Sequence, residues 1–268
     1  MESIYIESTN NKHVKNLVNL RDRKHRNRQD KFIIEGYREI EHAINAGYPL
    51  KTLYFCTELF PSESHSLLIQ RLRINSKIQL IRMHASAFSK SSYREGPDGL
   101  IALSEAKEMD LSTLELKEDS TLLILEGIEK PGNFGAIIRS AEGAGVDAIL
   151  LNNCLLDTYN PNAIRASQGI IFRLPIINVE TEYLCKWLKN NEFISIATTP
   201  NTQNSYSKQF YNGRTALLMG SESYGLSEKW LNQADHLINI PMKGFADSLN
   251  VSVATAICLY EINRQKCL

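Results

Sequence analysis

The run Leu122-Leu123-Ile124-Leu125 leads, a few residues on, into Pro131-Gly132-Asn133-Phe134-Gly135-Ala136-Ile137-Ile138-Arg139, and this pairing decides the fold class. A continuous apolar run reads as a strand buried on both faces, as in a parallel sheet. Proline and glycine then mark a loop, and Phe134–Gly143 carries a helical pattern. The same order recurs twice. Ala216–Met219 runs into Gly220-Ser221-Glu222-Ser223-Tyr224-Gly225-Leu226-Ser227, and Leu237–Ile240 runs into Pro241-Met242 and on to Ser248-Leu249-Asn250-Val251-Ser252. Each loop holds polar side chains that packing does not demand. Ligands bind outside the carboxyl ends of strands in α/β sheets, so one composite site is expected.

Further strands are expected at Ala148–Leu151, Leu174–Val179 and Phe193–Ala197, with helices at Glu182–Lys189 and Ser252–Asn263. Asn162–Gly169 reads as a loop or helix start. Repeated strand–helix units imply an α/β fold with a mostly parallel sheet covered by helices on both faces. The N-terminal part alternates too. Helices are expected at Val14–Arg23, Tyr37–Ala46 (stopped by Gly47) and Leu67–Ile74, and strands at Lys31–Gly36, Leu53–Cys56, Ile78–Ile81 and Leu100–Leu103. That is a second, smaller α/β domain, with Ser89–Asp98 as a polar surface loop. Glu105–Ser120 is charged and weakly periodic, so the expected division is residues 1–106, a linker at 107–120, and 121–268.

A chain of 268 residues fits one large or two ordinary domains. Apolar content of 43% and charged content of 22% fit a soluble globular protein. No apolar stretch approaches the roughly 20 residues needed to span a bilayer, and Met1-Glu2-Ser3-Ile4 lacks the layout of a secretion signal. Cys56, Cys154, Cys185, Cys258 and Cys267 are scattered, without a C-x-x-C pair. A reducing cytoplasm follows, with neither a disulfide framework nor a metal centre expected.

Net charge is zero but unevenly spread: residues 1–106 hold 16 Lys+Arg against 12 Asp+Glu. Lys12, Lys15, Arg21, Arg23, Lys24, Arg26 and Arg28 crowd into one run whose only acid is Asp22. Such a run is either a solvated helix face or a phosphate-contacting patch for nucleic acid.

In the first loop, Gly132 and Gly135 permit close backbone approach, and a helix N-terminus there attracts phosphate or carboxylate. Asn133 and Arg139 flank it; Arg139 fits a ligand contact or a surface ion pair. Glu222, in the second loop, fits either a helix-end contact or alignment of a substrate group, and Ser227 suits the N-cap of a following helix. In the third, Ser248, Asn250 and Ser252 all stand at the start of an apolar helix where one cap suffices, so at least one is expected to face a ligand. Gly143-Ala144-Gly145-Val146-Asp147-Ala148 matches a dinucleotide fingerprint only in the wrong order, helix before strand. Gly220-Ser221-Glu222-Ser223 lacks the spacing of a nucleophile elbow, and His236 has no triad partners.

Together these segments resemble the SpoU (TrmH-like) family of RNA ribose methyltransferases in the SPOUT superfamily. The match covers roughly Thr121–Asn263 and rests on N-x-x-x-x-x-R at Asn133 and Arg139, G-x-E-x-x-G-L-S from Gly220, and I-P-M…S-L-N-V-S from Ile240. Asn162–Gly169, which contains Arg165, looks like the family's intervening segment. Phe32-Ile33-Ile34-Glu35-Gly36 marks a similar N-terminal substrate-binding domain.

The resemblance implies a C-terminal trefoil knot, an S-adenosylmethionine pocket within it, and a homodimer. The backbone around Gly220, Ile240 and Leu249 would hold the cofactor. Asn133, Arg139, Glu222, Ser248 and Asn250 would form the catalytic set, with no metal. RNA would meet Lys12, Lys15, Arg21, Arg23, Lys24, Arg26, Arg28 and Arg165. The expected reaction is methylation of a ribose 2′-hydroxyl in rRNA. A tRNA substrate and a non-catalytic RNA-binding protein with the same fold are the alternatives. Family mechanisms give Arg139 the role of base; because a guanidinium parts with its proton reluctantly, stabilising the developing alkoxide is the other role open to it. Lys130 stands where many members have Asp.

Overall fold

The computed structural model describes residues 4–75, 78–107 and 109–267. Residues 1–3, read above for a secretion signal, and residue 108 of the linker lie outside them. The chain divides into two compact units. One comprises Met1–Glu108 with Asp157–Arg173, the other Met109–Leu156 with Leu174–Leu268.

The first unit holds strands β1 (Ile4–Ile6), β2 (Lys31–Glu35), β3 (Leu50–Phe55), β4 (Gln79–Met83) and β5 (Leu100–Glu105). Its early helices are α1 (Lys12–Asn19), α2 (Arg23–Gln29), α3 (Tyr37–Asn45), α4 (Glu63–Asn75) and α5 (Ala85–Ser91). The sheet runs in the order β1-β4-β3-β5-β2, and β5 is antiparallel to both its neighbours.

Two expectations change here. The single helix over Val14–Arg23 is two helices. Arg26 explains the break: its Nη1 donates to the carbonyls of Leu20 and Arg21, both at 2.6 Å, satisfying groups that a helix end would leave bare. Ser89–Asp98 is not wholly a surface loop either. Ser91 and Ser92 are buried. The Ser92 hydroxyl donates to buried Glu35, which also accepts the Tyr93 N–H at 2.8 Å.

The second unit holds strands β6 (Thr121–Glu126), β7 (Ala148–Asn152), β8 (Ile176–Asn178), β9 (Ile194–Thr198), β10 (Thr215–Met219) and β11 (His236–Ile238). The later helices are α6 (Pro131–Gly143), α7 (Pro161–Ala166), α8 (Thr181–Asn190), α9 (Glu228–Gln233) and α10 (Val251–Lys266). Of these, α7 lies in the first unit, within Asp157–Arg173. Tyr159 from that segment stacks on Phe32 with ring centroids 4.1 Å apart, and Asp157 pairs with Arg26.

All pairings in the second sheet are parallel, in the order β11-β9-β10-β6-β7-β8. Every residue of β6, β7 and β10 is buried, as their unbroken apolar runs require. The expected linker is partly core of this unit: Leu111 is buried there, with Met109, Leu114 and Leu116 packed against it. Chain order reverses between β6 and its neighbour β10, so their two C-terminal loops emerge side by side at a topological switch point.

Candidate functional site

The loop after β6 turns at Gly127, whose φ of 67° suits glycine. α6 begins at Pro131, three residues before the expected start, because proline at N1 carries a pre-set φ and lacks an N–H. Asn133 therefore stands on the first helical turn, not in a loop.

The loop after β10 closes on itself. The Ser221 N–H donates to the Gly225 carbonyl at 3.1 Å and the Gly225 N–H returns to the Ser221 carbonyl at 3.0 Å. A Cβ on Gly220 would overlap the Gly225 carbonyl carbon and the Leu226 nitrogen, so glycine is required for this fold-back. The base of the loop is pinned by Glu126, at the end of β6. Its carboxylate accepts the Ser227 N–H at 2.7 Å and the Ser227 hydroxyl at 2.8 Å. Ser227 does occupy the N-cap position of α9, but its side chain goes to Glu126 instead of capping. A buried carboxylate needs donors, and these are at hand.

The third segment ends in a true cap. Asn250 is the N-cap of α10, and its Oδ1 accepts the Ser252 N–H at 2.9 Å and the Ser252 hydroxyl at 2.7 Å.

These three segments meet through side chains. Glu222 accepts a bond from Asn133 Nδ2 on one oxygen and from Lys130 Nζ, at 2.5 Å, on the other. Asn133 Oδ1 accepts from Asn250 Nδ2 at 3.3 Å. A crevice of about 200 Å³ lies beside them, lined by Gly127, Lys130, Asn133, Ser221, Glu222 and Val251 among others. Asn133, Glu222 and Asn250 are thus brought together, and Lys130 joins them.

Arg139 and Ser248 are exposed and make no hydrogen bond or ion pair with other described residues. Arg139 follows Asn133 by six positions at about 100° each, so it leaves α6 on a different face. Of the three polar residues of the last loop, Asn250 and Ser252 serve the cap, and Ser248 is left over. Ile240 and Leu249 are half-buried. Next to Ile240, the Oδ1 of Asn239 is enclosed without a hydrogen-bond partner, a position suited to a donor from a bound molecule.

Among the described residues, no cysteine lines the crevice. Elsewhere in this unit burial pushes the Cys154 thiol up, and that of Cys258 up to about 12, which keeps both protonated and poorly nucleophilic.

In the first unit, two of the expected RNA contacts are committed to the protein itself. Arg26 is 5% exposed, paired with Asp157 and bonded to two carbonyls. Arg21 donates to the carbonyls of Lys90 and Ser92, at 2.7 and 2.6 Å. Lys12, Lys15, Arg23, Lys24 and Arg28 on α1 and α2, and Arg165 on α7, remain exposed.

Sequence reasoning passed over Glu126. Its signal was an acid closing an otherwise apolar strand, a position that burial disfavours unless the carboxylate is put to use.

The profile of the SpoU rRNA Methylase family matches residues 120–260, and that of the MRM3-like substrate binding domain matches residues 11–102. The Bacillus subtilis (strain 168) 23S rRNA (guanosine(2553)-2′-O)-methyltransferase RlmP is 28% identical over 258 residues, covering 96% of this chain and 98% of that protein. The crystal structure of an RNA 2′-O ribose methyltransferase aligns with a TM-score of 0.85 at 37% identity, covering 99% of this chain and 100% of that one. The AdoMet-bound rRNA methyltransferase from Sinorhizobium meliloti aligns with a TM-score of 0.87 at 28% identity, over 97% of each chain.

Proposed function

The chain belongs to the SpoU rRNA methylase family, and from that premise we propose that it methylates a ribose 2′-hydroxyl of ribosomal RNA with S-adenosylmethionine as methyl donor. The substrate named for the Bacillus subtilis relative, 23S rRNA, is the first candidate. One observation carries the reading: Asn133, Glu222 and Asn250, from three distant motifs, converge in one hydrogen-bonded chain beside a crevice.

The residues present suit the donor. We assign the donor to the backbone around Gly220, Ile240 and Leu249; the fold-back at Gly220, the enclosed Asn239 Oδ1 without a partner and the half-burial of Ile240 and Leu249 support that reading. When bound, S-adenosylmethionine supplies an electrophilic methyl group on a sulfonium.

The chain's own residues then have to position a weak nucleophile. The 2′-hydroxyl oxygen must approach the methyl carbon in line with the departing sulfur and shed its proton as the O–C bond forms. Arg139, exposed and without a bond to the other described residues, is our candidate to meet it. A guanidinium keeps its proton at neutral pH, so we assign Arg139 to hold a backbone phosphate and stabilise charge developing on the ribose oxygen. Asn133 and Asn250, each fixed at both ends of its amide, give the ribose a rigid polar wall. We assign Ser248, which makes no hydrogen bond with the other described residues, to add a hydroxyl contact. Small displacements are costly in such positioned reactions.

The RNA-contacting set becomes Lys12, Lys15, Arg23, Lys24, Arg28 and Arg165, with Arg21 and Arg26 as braces. We further assign a homodimer to this protein. Val253 and Tyr260 lie two turns apart on one face of α10, 47% and 54% exposed, and a second copy would cover them. A trefoil knot in residues 121–268 and a place in the cytoplasm complete the proposal. The knot is favoured by the return of the chain from β11 to α6, where Asn263 Nδ2 bonds the Ala144 carbonyl at 3.0 Å.

Incubating the protein with rRNA and methyl-labelled donor tests the reading. Ribose methylation protects the adjacent phosphodiester from alkali, so label should appear in alkali-resistant dinucleotides. Label recovered in mononucleotides would place the methyl on a base and refute the ribose assignment.

A further inference from the structure

We infer that Lys130 is a positioning residue that sets the direction of the hydrogen-bond chain through the crevice; this rests on the methyltransferase reading above. The direction is fixed from the far end. Asn250 must turn its Oδ1 to the α10 N-terminus, where it takes both Ser252 donors. Its Nδ2 is then left to face Asn133, which must answer with Oδ1. Asn133 Nδ2 consequently points to Glu222, an acceptor on both oxygens. The remaining Glu222 oxygen needs a donor, and Lys130 Nζ supplies it at 2.5 Å. Donor and acceptor roles alternate without conflict from the helix cap to the ammonium.

The cation at the end has a second effect. A carboxylate beside a polyanionic substrate repels it, and the ion pair cancels that charge where the backbone must approach. An Asp at position 130 would place two carboxylates together and leave the Glu222 oxygen without its donor. Lys130 is itself well exposed and its replacement removes no core packing, so the variants should fold.

The test compares Lys130→Met and Lys130→Arg with the wild type, and it has two readouts. The first is the side-chain amide resonances of Asn133 and Asn250 in 15N-labelled protein without RNA. Lys130→Met should shift both sets, and Lys130→Arg should restore them. Resonances unmoved in Lys130→Met would overturn the inference whether or not the methyltransferase reading holds.

The second readout is steady-state methylation. A charge-assisted bond lost from a positioned site should lower kcat about tenfold with KM for RNA little changed, and arginine should recover most of it. If Lys130 merely touched an RNA phosphate, KM would rise instead, kcat would hold, and the salt slope of binding would fall by about one; that pattern would overturn the positioning role. A wild-type enzyme inactive on every RNA offered would count against the methyltransferase reading, with the resonances still deciding for Lys130.

Discussion

The basic run Lys12–Arg28 and the three loops after β6, β10 and β11 both carry several polar side chains, yet the protein uses them differently. In the basic run, two side chains bonded to the protein itself serve the fold. Arg26 ties a helix end to Asp157, and Arg21 closes the end of α5. In the loops, the polar groups bond to one another beside a crevice. Charge is denser in the basic run, but that density did not mark the site. Position did: a guanidinium next to a broken helix finds bare carbonyls to satisfy, whereas side chains at the carboxyl ends of parallel strands have few backbone groups left to serve.

The contrast is sharpest for two arginines, one from each region. Arg139→Ala should lower methyl transfer by about a thousandfold, the scale for losing a donor aimed at developing charge, while calorimetry shows unchanged binding of S-adenosylmethionine. Arg26→Ala should do the reverse. It strands Asp157 and two carbonyls, costing about 3 kcal/mol of stability in urea unfolding, with turnover per folded molecule preserved. Should Arg26→Ala instead unfold normally and lose RNA affinity, the division between brace and ligand contact would fail.

A milder effect is expected from the exposed part of the run. Replacing Lys12, Lys15 and Lys24 together by Gln should weaken RNA binding at low salt and reduce the slope of log K against log salt by about three at most. Thermal stability should hardly move.

The smallest effect concerns His13, whose Nδ1 meets the Tyr54 hydroxyl at 3.0 Å. Burial, aided by the neighbouring Lys12, lowers its pKa below the ordinary 6.5. The folded state therefore binds fewer protons than the unfolded one in that range. The stability that neutral His13 contributes is complete above pH 6.5 and is lost as pH falls toward the folded value. His13→Gln should flatten the fall in Tm on the acid side, and an unaltered Tm profile would show that His13 is not coupled to folding.

Much of the second unit was legible from sequence because burial on both faces leaves an apolar run with few other readings, as in Leu122–Leu125 and Ala216–Met219. The motif residues Asn133, Glu222 and Asn250 were likewise recognisable, since each stands just beyond such a run or a proline. Other features were hidden by long-range partners. Nothing local announces that Tyr159 will stack on Phe32, carrying Asp157–Arg173 into the first unit, or that Leu111 of a charged stretch will enter a core. Ser227 read as a cap because caps are local, and its actual partner, Glu126, lies 101 residues away. Strand β1 has only three residues, too few for a period to show.

The most direct test is transfer of a labelled methyl group to rRNA by the wild type and by Arg139→Ala at equal donor occupancy. Label confined to alkali-resistant dinucleotides in the wild type, and nearly absent in the variant, is the expected result. Equal labelling by both proteins, or label on a base, would contradict the assignment of Arg139 to steady a ribose oxygen.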